Sequence, residues 1–116
     1  MNKVAWMALL FDFYGQLLTE KQRKFLDLYY GHDLSLGEIA ENYGVSRQAV
    51  YDSLKRSEKV LNEFEDKLGL VTRFLEQREK LSQVARLLEE SRAGGGFEPM
   101  FRAQKLLEKI LEINET

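Results

Sequence analysis

A polar stretch from Ser46 to Lys59 carries side chains that proteins use to contact nucleic acids. If a helix begins after Ser46, its outward positions hold Arg47, Gln48, Tyr51, Asp52, Lys55 and Arg56. Arginine can bind guanine through two hydrogen bonds, and glutamine can bind adenine in the same way. Side chains able to contact phosphates are Ser46, Tyr51, Lys55, Arg56 and Lys59. The stretch predicts a DNA-contacting helix, although a simple solvated helix face would also account for Arg47, Lys55 and Arg56.

No cluster of residues predicts catalysis or metal binding. The chain has no cysteine and one histidine, His32, which we expect at the surface or at a helix end. Gly94–Gly96 lacks the preceding strand and the following lysine of a phosphate-binding loop. We therefore expect a non-enzymatic protein with no metal, no cofactor and no small-molecule substrate.

A helix-turn-helix would position the polar stretch, because this motif crosses two short helices steeply through a turn of three or four residues. Ala40 is small enough for the crossing, and Gly44 tolerates the positive φ that the turn needs. Val45 is expected to plug the core, and Ser46 to cap the second helix. The predicted helix-turn-helix core is Ile39, Ala40, Tyr43, Gly44, Val45, Val50 and Leu54.

The remaining periodic patterns are also helical. A first helix at about 2–14 is apolar on most sides and is expected to be buried, in its own domain or against a second copy. Capping boxes are predicted at Thr19–Gln22 and Ser35–Glu38. Two further helices, at about 70–91 and 99–114, are joined by a glycine-rich segment predicted to be a flexible linker. The sequence thus predicts an all-α protein of about six helices and one domain, 1–116, with a helix-turn-helix module at about 18–62.

The helices predicted at about 70–114 have more apolar surface than a small helix-turn-helix module can cover. These helices either pack on their own chain in an extended bundle or build a two-fold homodimer. Docking of an exposed stripe onto another protein is a third use. We favour the homodimer.

The charge balance argues for modest DNA affinity. The chain has 17 basic and 19 acidic residues, a net charge of −2. Residues 17–62 hold seven basic and seven acidic residues, so their net charge is zero. Neutralisation of DNA phosphates by basic residues supplies most of the non-specific affinity of a DNA-binding protein. Weak to moderate binding is therefore expected unless the charges segregate or a dimer doubles the contacts.

The chain carries no pattern for crossing or entering a membrane. Its longest strongly apolar stretch, Val4–Tyr14, contains Asp12 and is too short to span a bilayer. Its flanks lack a signal-peptide cleavage pattern. We therefore expect no membrane association and a cytoplasmic location.

The segment from Leu18 to Arg56 resembles region 4 of bacterial sigma factors, both in its entry helix Leu18–Arg23 and in the helix-turn-helix Leu36–Arg56. Residues of about 1–75 are more similar still to the YlxM family of small helix-turn-helix proteins, through Phe11–Tyr14, Leu28–Tyr30 and Ser46–Asp52. That resemblance implies an all-helical bacterial cytoplasmic protein. It also implies a role in, or in regulating, the signal recognition particle pathway, because the family's genes lie beside those of the pathway's GTPases.

Two functions follow as hypotheses. The first is a DNA-binding regulatory protein associated with the signal recognition particle pathway. The second is an interaction module that binds a protein or RNA component of that pathway and does not read DNA sequence.

Overall fold

Six α-helices follow one another in the computed structural model, which describes the backbone of residues 1–115 and the side chains of residues 1–112. They are α1 (Lys3–Tyr14), α2 (Glu20–Leu26), α3 (Leu36–Tyr43), α4 (Arg47–Leu68), α5 (Leu70–Glu90) and α6 (Glu98–Glu115). The described residues contain no β-strand. The predicted all-α fold of about six helices is therefore confirmed.

Local hydrogen bonds set the helix ends. The Gln22 amide N–H donates to Thr19 Oγ1 at 3.2 Å, and the Thr19 amide N–H donates to Gln22 Oε1 at 3.1 Å. Ser35 and Glu38 make the same reciprocal pair at the start of α3. Both predicted capping boxes are confirmed, since each orphan amide at these helix starts finds a side-chain oxygen.

A buried tyrosine and a buried glutamate fix the junction between α4 and α5. The Tyr14 hydroxyl donates to Glu65 Oε1 at 2.6 Å, and the Val71 amide N–H donates to the same oxygen at 3.0 Å. The Leu70 amide N–H donates to the Tyr14 hydroxyl at 3.1 Å. Gly69, with φ of 63°, makes the left-handed turn between the helices. The first amides of α5, which have no partner within that helix, are thus satisfied by side chains from α1 and α4.

The contacts divide the chain into two compact units, residues 1–71 and residues 72 onward. The sequence pattern predicts one domain over residues 1–116. The boundary between the two units falls inside α5. The first unit holds most of the core: Met7, Leu10, Tyr14, Leu18, Phe25, Leu26, Ile39, Ala40, Val50, Leu54, Leu61 and Val71. In the described part of the second unit, the buried hydrophobic residues are Val84, Ala103 and Ile110. Ile113, expected on the same apolar stripe, lies outside the described side chains.

Helix α1 is buried on one side only. Met7, Leu10 and Tyr14 are buried, whereas Val4 is 59% exposed and Phe13 is 38% exposed. Within one chain, α1 is therefore only partly buried, and burial of its remaining apolar side against a second copy stays a prediction.

The glycine-rich connection between α5 and α6 is a tight turn. Ser91–Gly95 form a single π-helical turn, which has more residues per turn than an α-helix, and the Ser91 hydroxyl donates to the Gly96 carbonyl. Gly94 and Gly96 have φ of 103° and 78°, which glycine adopts without steric cost. None of the described helices combines the length and the apolar character needed to cross a bilayer.

Candidate nucleic-acid interface

The helix-turn-helix forms where α3 meets α4. Gly44 ends α3 with φ of 63°, and the Val45 amide N–H donates to the Ala40 carbonyl at 3.1 Å. Ser46 then caps α4, its hydroxyl accepting from the Ala49 amide N–H at 3.0 Å. Four members of the predicted core are buried: Ile39, Ala40, Val50 and Leu54. The left-handed glycine therefore turns the chain so that α4 starts in a new direction and buries one face.

Two residues assigned to that core, Tyr43 and Val45, need correction, because each is 39% exposed. Tyr43 is the last residue of α3, and its ring packs edge-on against Phe25 at 5.1 Å between centroids. Val45 lies in the turn, and residues 41–49 are all exposed. Apart from the contact with Phe25, the described residues leave this corner of the motif open, so neither side chain is enclosed.

The predicted DNA-contacting side chains share one continuous exposed face. They are Ser46, Arg47, Gln48, Tyr51, Asp52, Lys55, Arg56 and Lys59, and all are exposed. The buried residues of α4 are Val50, Ser53, Leu54, Ser57, Glu58, Leu61 and Glu65. The exposed face spans about three and a half turns from the N-terminus of α4, the end that a recognition helix presents to base edges in the major groove.

Glu58 is an acidic residue that the structure removes from this surface. It is 7% exposed, and its carboxylate lies 3.1 Å from Lys3 Nζ and 3.7 Å from Lys55 Nζ. The Tyr30 hydroxyl donates to Glu58 Oε2 at 3.0 Å. Burial and then this carboxylate raise the pKa of Tyr30, because both disfavour the phenolate. The Lys3 ammonium, a like charge, lowers the pKa of Lys55.

This ion cluster changes the charge balance derived from the sequence. With Glu58 buried, the exposed face of α4 holds four cations, Arg47, Lys55, Arg56 and Lys59, and one carboxylate, Asp52. Sequence reasoning missed the cluster because Lys3 and Tyr30 are far from Glu58 in the chain and Glu58 has no distinguishing local pattern. The charges of the first unit are thus partly segregated, which favours contact with phosphates.

The outward side chains also contact one another. Gln48 Nε2 donates to Asp52 Oδ1 at 3.0 Å, which orients the glutamine amide. Lys55 Nζ lies 5.4 Å from the centroid of the Tyr51 ring, within cation–π distance. The Arg47 side chain lies beside Gly37 of α3. A Cβ atom placed on Gly37 would be 3.6 Å from Arg47 Nε. Side chains of the polar face thus contact one another and α3.

A second basic surface lies between α5 and α6, and we call it the basic groove. It has a volume of about 540 Å³ and is lined by Gln83, Arg86, Leu87, Glu90, Arg102, Lys105, Leu106 and Lys109. Four of these residues are cations, Glu90 is the one carboxylate, and two leucines form apolar lining. The nearest acidic partner of Arg86 is Glu79, at 3.9 Å. Sequence reasoning did not single out this groove, because its cations come from two helices.

Within the part of the chain that the structure describes, no three histidine, aspartate or glutamate side chains group as metal ligands would. Helices α3 and α4, the left-handed glycine between them and the exposed polar face of α4 together define a helix-turn-helix protein.

Comparison with known proteins assigns the family. The family model described as "UPF0122: Putative helix-turn-helix protein, YlxM / p13 like" matches residues 1–93. A UPF0122 protein of Desulforamulus reducens is 52% identical over 112 residues, 97% of this chain and 96% of that protein. UPF0122 proteins of Bacillus mycoides and Halalkalibacterium halodurans are 53% and 54% identical over 90 and 91 residues, which cover 78% of this chain and 82% and 80% of theirs. The chain belongs to the UPF0122 family.

Proposed function

We propose that this protein is a non-enzymatic, cytoplasmic DNA-binding regulator that inserts the N-terminal half of α4 into the major groove as a homodimer. Its resemblance to YlxM-family proteins supports a further proposal, that it takes part in or regulates the signal recognition particle pathway. The DNA-contacting residues would be the exposed face of α4, from Ser46 to Lys59.

The observation that carries the DNA-binding proposal is the segregation of charge along α4. Glu58 is buried, so four exposed cations share one helix face with a single carboxylate. Glu63 and Asp66 lie farther along the same helix, away from its N-terminal half. A helix with a basic N-terminal half suits a groove bounded by phosphates, although the whole chain has a net charge of −2.

The test is a selection of bound sequences from a randomised duplex of about 30 base pairs, long enough for two half-sites one helical turn apart. We expect salt-dependent binding and an enriched sequence. Gln48→Ala should relax the preference at one base pair, while Arg56→Ala should weaken binding to all sequences about equally. Lys67→Ala, at the far end of α4, is the matched control and should leave affinity unchanged. Background binding at low salt for the wild-type protein would refute DNA binding.

The basic groove favours a second candidate function, an interaction module for the signal recognition particle pathway that does not read DNA sequence. Four cations facing one groove would repel one another less if an anionic partner bound there. The probes are the RNA and the purified GTPase of the particle, offered separately. Loss of binding in Arg102→Glu, with DNA binding at background, would support this candidate, whereas failure to bind either probe would count against it.

A further inference from the structure

The second unit contains a two-helix hairpin. Leu106 and Lys109, late in α6, line a cavity with Leu75 and Glu79, early in α5, and the short connection Ser91–Gly95 joins the other ends of the two helices. Residues late in α5 therefore lie beside residues early in α6, so the two helices run antiparallel. Such a hairpin has two flanks, and each flank is formed by side chains of both helices.

One flank is charged and the other is apolar. The charged flank is the basic groove. On the other side of α5 lie Phe74, Leu81 and Leu88, spaced by seven residues and 38%, 48% and 45% exposed. Met100, Leu107 and Leu111 line the corresponding side of α6 and are 39%, 40% and 61% exposed. We call these six residues the apolar flank.

The positions on the helices show that the six residues face one way. Successive residues of a helix are rotated by about 100° about its axis. Measured from buried Val84, the basic-groove residues Gln83 and Leu87 lie on one side of α5. Phe74, Leu81 and Leu88 lie on the other side. On α6, Met100, Leu107 and Leu111 are likewise on the opposite side of the buried positions from Arg102, Lys105 and Lys109. A spacing of seven residues keeps side chains in one seam along a helix that packs on another helix.

The hairpin has little core of its own. In its described part, three hydrophobic residues are buried, Val84, Ala103 and Ile110, fewer than the six that remain on the apolar flank. The chain has no cysteine that could cross-link the helices. Small helical units of this kind commonly gain their stability by association.

We propose that the apolar flank is the surface through which two copies of this chain associate, forming a four-helix bundle around a two-fold axis. The inference rests on the homodimer of the proposed function and identifies the surface that forms it. A two-fold interface brings a patch against itself, so the patch must be self-complementary. The apolar flank meets this requirement, whereas the basic groove would set cations against cations.

The exposed area is sufficient for a stable dimer. The six side chains offer on the order of 500 Å² of apolar surface per copy. A standard interface buries about 800 Å² per partner, and roughly 60% of that area is non-polar. The apolar surface of the flank is thus about equal to the non-polar area that one copy buries in a standard interface. The neighbouring residues Arg78, Ala85 and Gln104 can form the rim.

The experiment is sedimentation analysis of the full chain over micromolar concentrations, with two variants that make the same chemical change. The wild-type protein should sediment at twice 13.6 kDa. Leu81→Glu should weaken association about 100-fold or more, because it sets two carboxylates in the centre of the interface. Leu17→Glu alters a leucine in the first unit that is 59% exposed, and it should remain dimeric.

The possible outcomes test the homodimer and its proposed surface separately. A monomeric wild-type protein overturns both proposals. A wild-type dimer that Leu81→Glu leaves intact overturns the surface assignment alone. DNA binding is read separately from the duplex selection described above, so its failure does not affect this result.

A second readout decides the matter if Leu81→Glu fails to fold. Because the chain lacks cysteine, Leu81→Cys and Leu17→Cys each introduce one thiol, which a short bismaleimide can link between copies. We expect a covalent dimer from Leu81→Cys and none from Leu17→Cys. The reverse pattern would overturn the proposal, as would equal cross-linking of both.

Discussion

At the scale of single residues, two buried glutamates hold the first unit together. Glu58 lies within ion-pair distance of Lys3 and Lys55 and accepts from Tyr30, while Glu65 accepts from Tyr14 and from the start of α5. A buried carboxylate is tolerated because it is hydrogen-bonded or paired, and removing one partner leaves a costly charge behind.

We predict that Tyr14→Phe lowers the free energy of unfolding at pH 7 by about 1–3 kcal/mol, because Glu65 and the Leu70 amide each lose a buried partner. Urea denaturation followed by circular dichroism measures this change. Tyr51→Phe, at an exposed tyrosine, is the control and should change stability by less than about 0.5 kcal/mol.

The same variant has a pH signature. Burial and then the Glu65 carboxylate raise the pKa of Tyr14 above its value in the unfolded chain, which is near 10. The stabilisation from neutral Tyr14 is therefore complete below about pH 10 and is lost as the pH rises through the raised pKa. The stability gap between wild type and Tyr14→Phe should narrow above pH 10, and a constant gap would contradict the assignment.

At the scale of elements, the helix-turn-helix depends on one backbone conformation. Gly44 has φ of 63°, and a Cβ added there would meet nothing within 4 Å. Any cost of a side chain at this position therefore comes from the backbone and not from crowding.

We predict that Gly44→Ala lowers the free energy of unfolding by about 1–2 kcal/mol, the cost of a left-handed conformation for an L-residue. Gly37→Ala makes the same change inside α3, where the new Cβ would sit in ordinary contact with Arg47. It should be neutral or up to about 1 kcal/mol stabilising, because alanine favours helix. Thermal or urea unfolding of both variants checks the pair, and equal effects would refute the backbone explanation.

At the scale of the whole molecule, charge and apolar surface are sorted into separate regions. The exposed face of α4 is basic, and the hairpin of α5 and α6 has one basic and one apolar flank. A net charge of −2 conceals this arrangement. Association through the apolar flank would give the complex two basic recognition helices.

We predict that this doubling appears in the salt dependence of DNA affinity. If the four exposed cations of α4 each neutralise one phosphate, the slope of log K against log salt is about −3.5 per copy and about −7 for the dimer. Leu81→Glu should therefore show about half the wild-type slope in a fluorescence anisotropy titration. Identical slopes for two variants of different oligomeric state would contradict dimeric DNA binding.

The sequence by itself determined the helices and their ends. Two helices begin with capping boxes whose partners are three residues apart, Thr19 with Gln22 and Ser35 with Glu38. Two helices end at a single left-handed glycine, Gly44 and Gly69. Such signals are local, so they do not depend on the rest of the fold. The exposed face of α4 was predictable for the same reason, because the helical period fixes which residues share a face.

Only the tertiary structure decided which polar groups are buried and which apolar groups are not. Tyr14 and Glu65 are 51 residues apart, and nothing near either of them in the chain predicts their hydrogen bond. Tyr43 and Val45 follow a core pattern yet stay partly exposed, because burial requires neighbouring elements on all sides and the described residues leave that corner open apart from Phe25. Helical period is a property of the chain, whereas burial is a property of what packs against it.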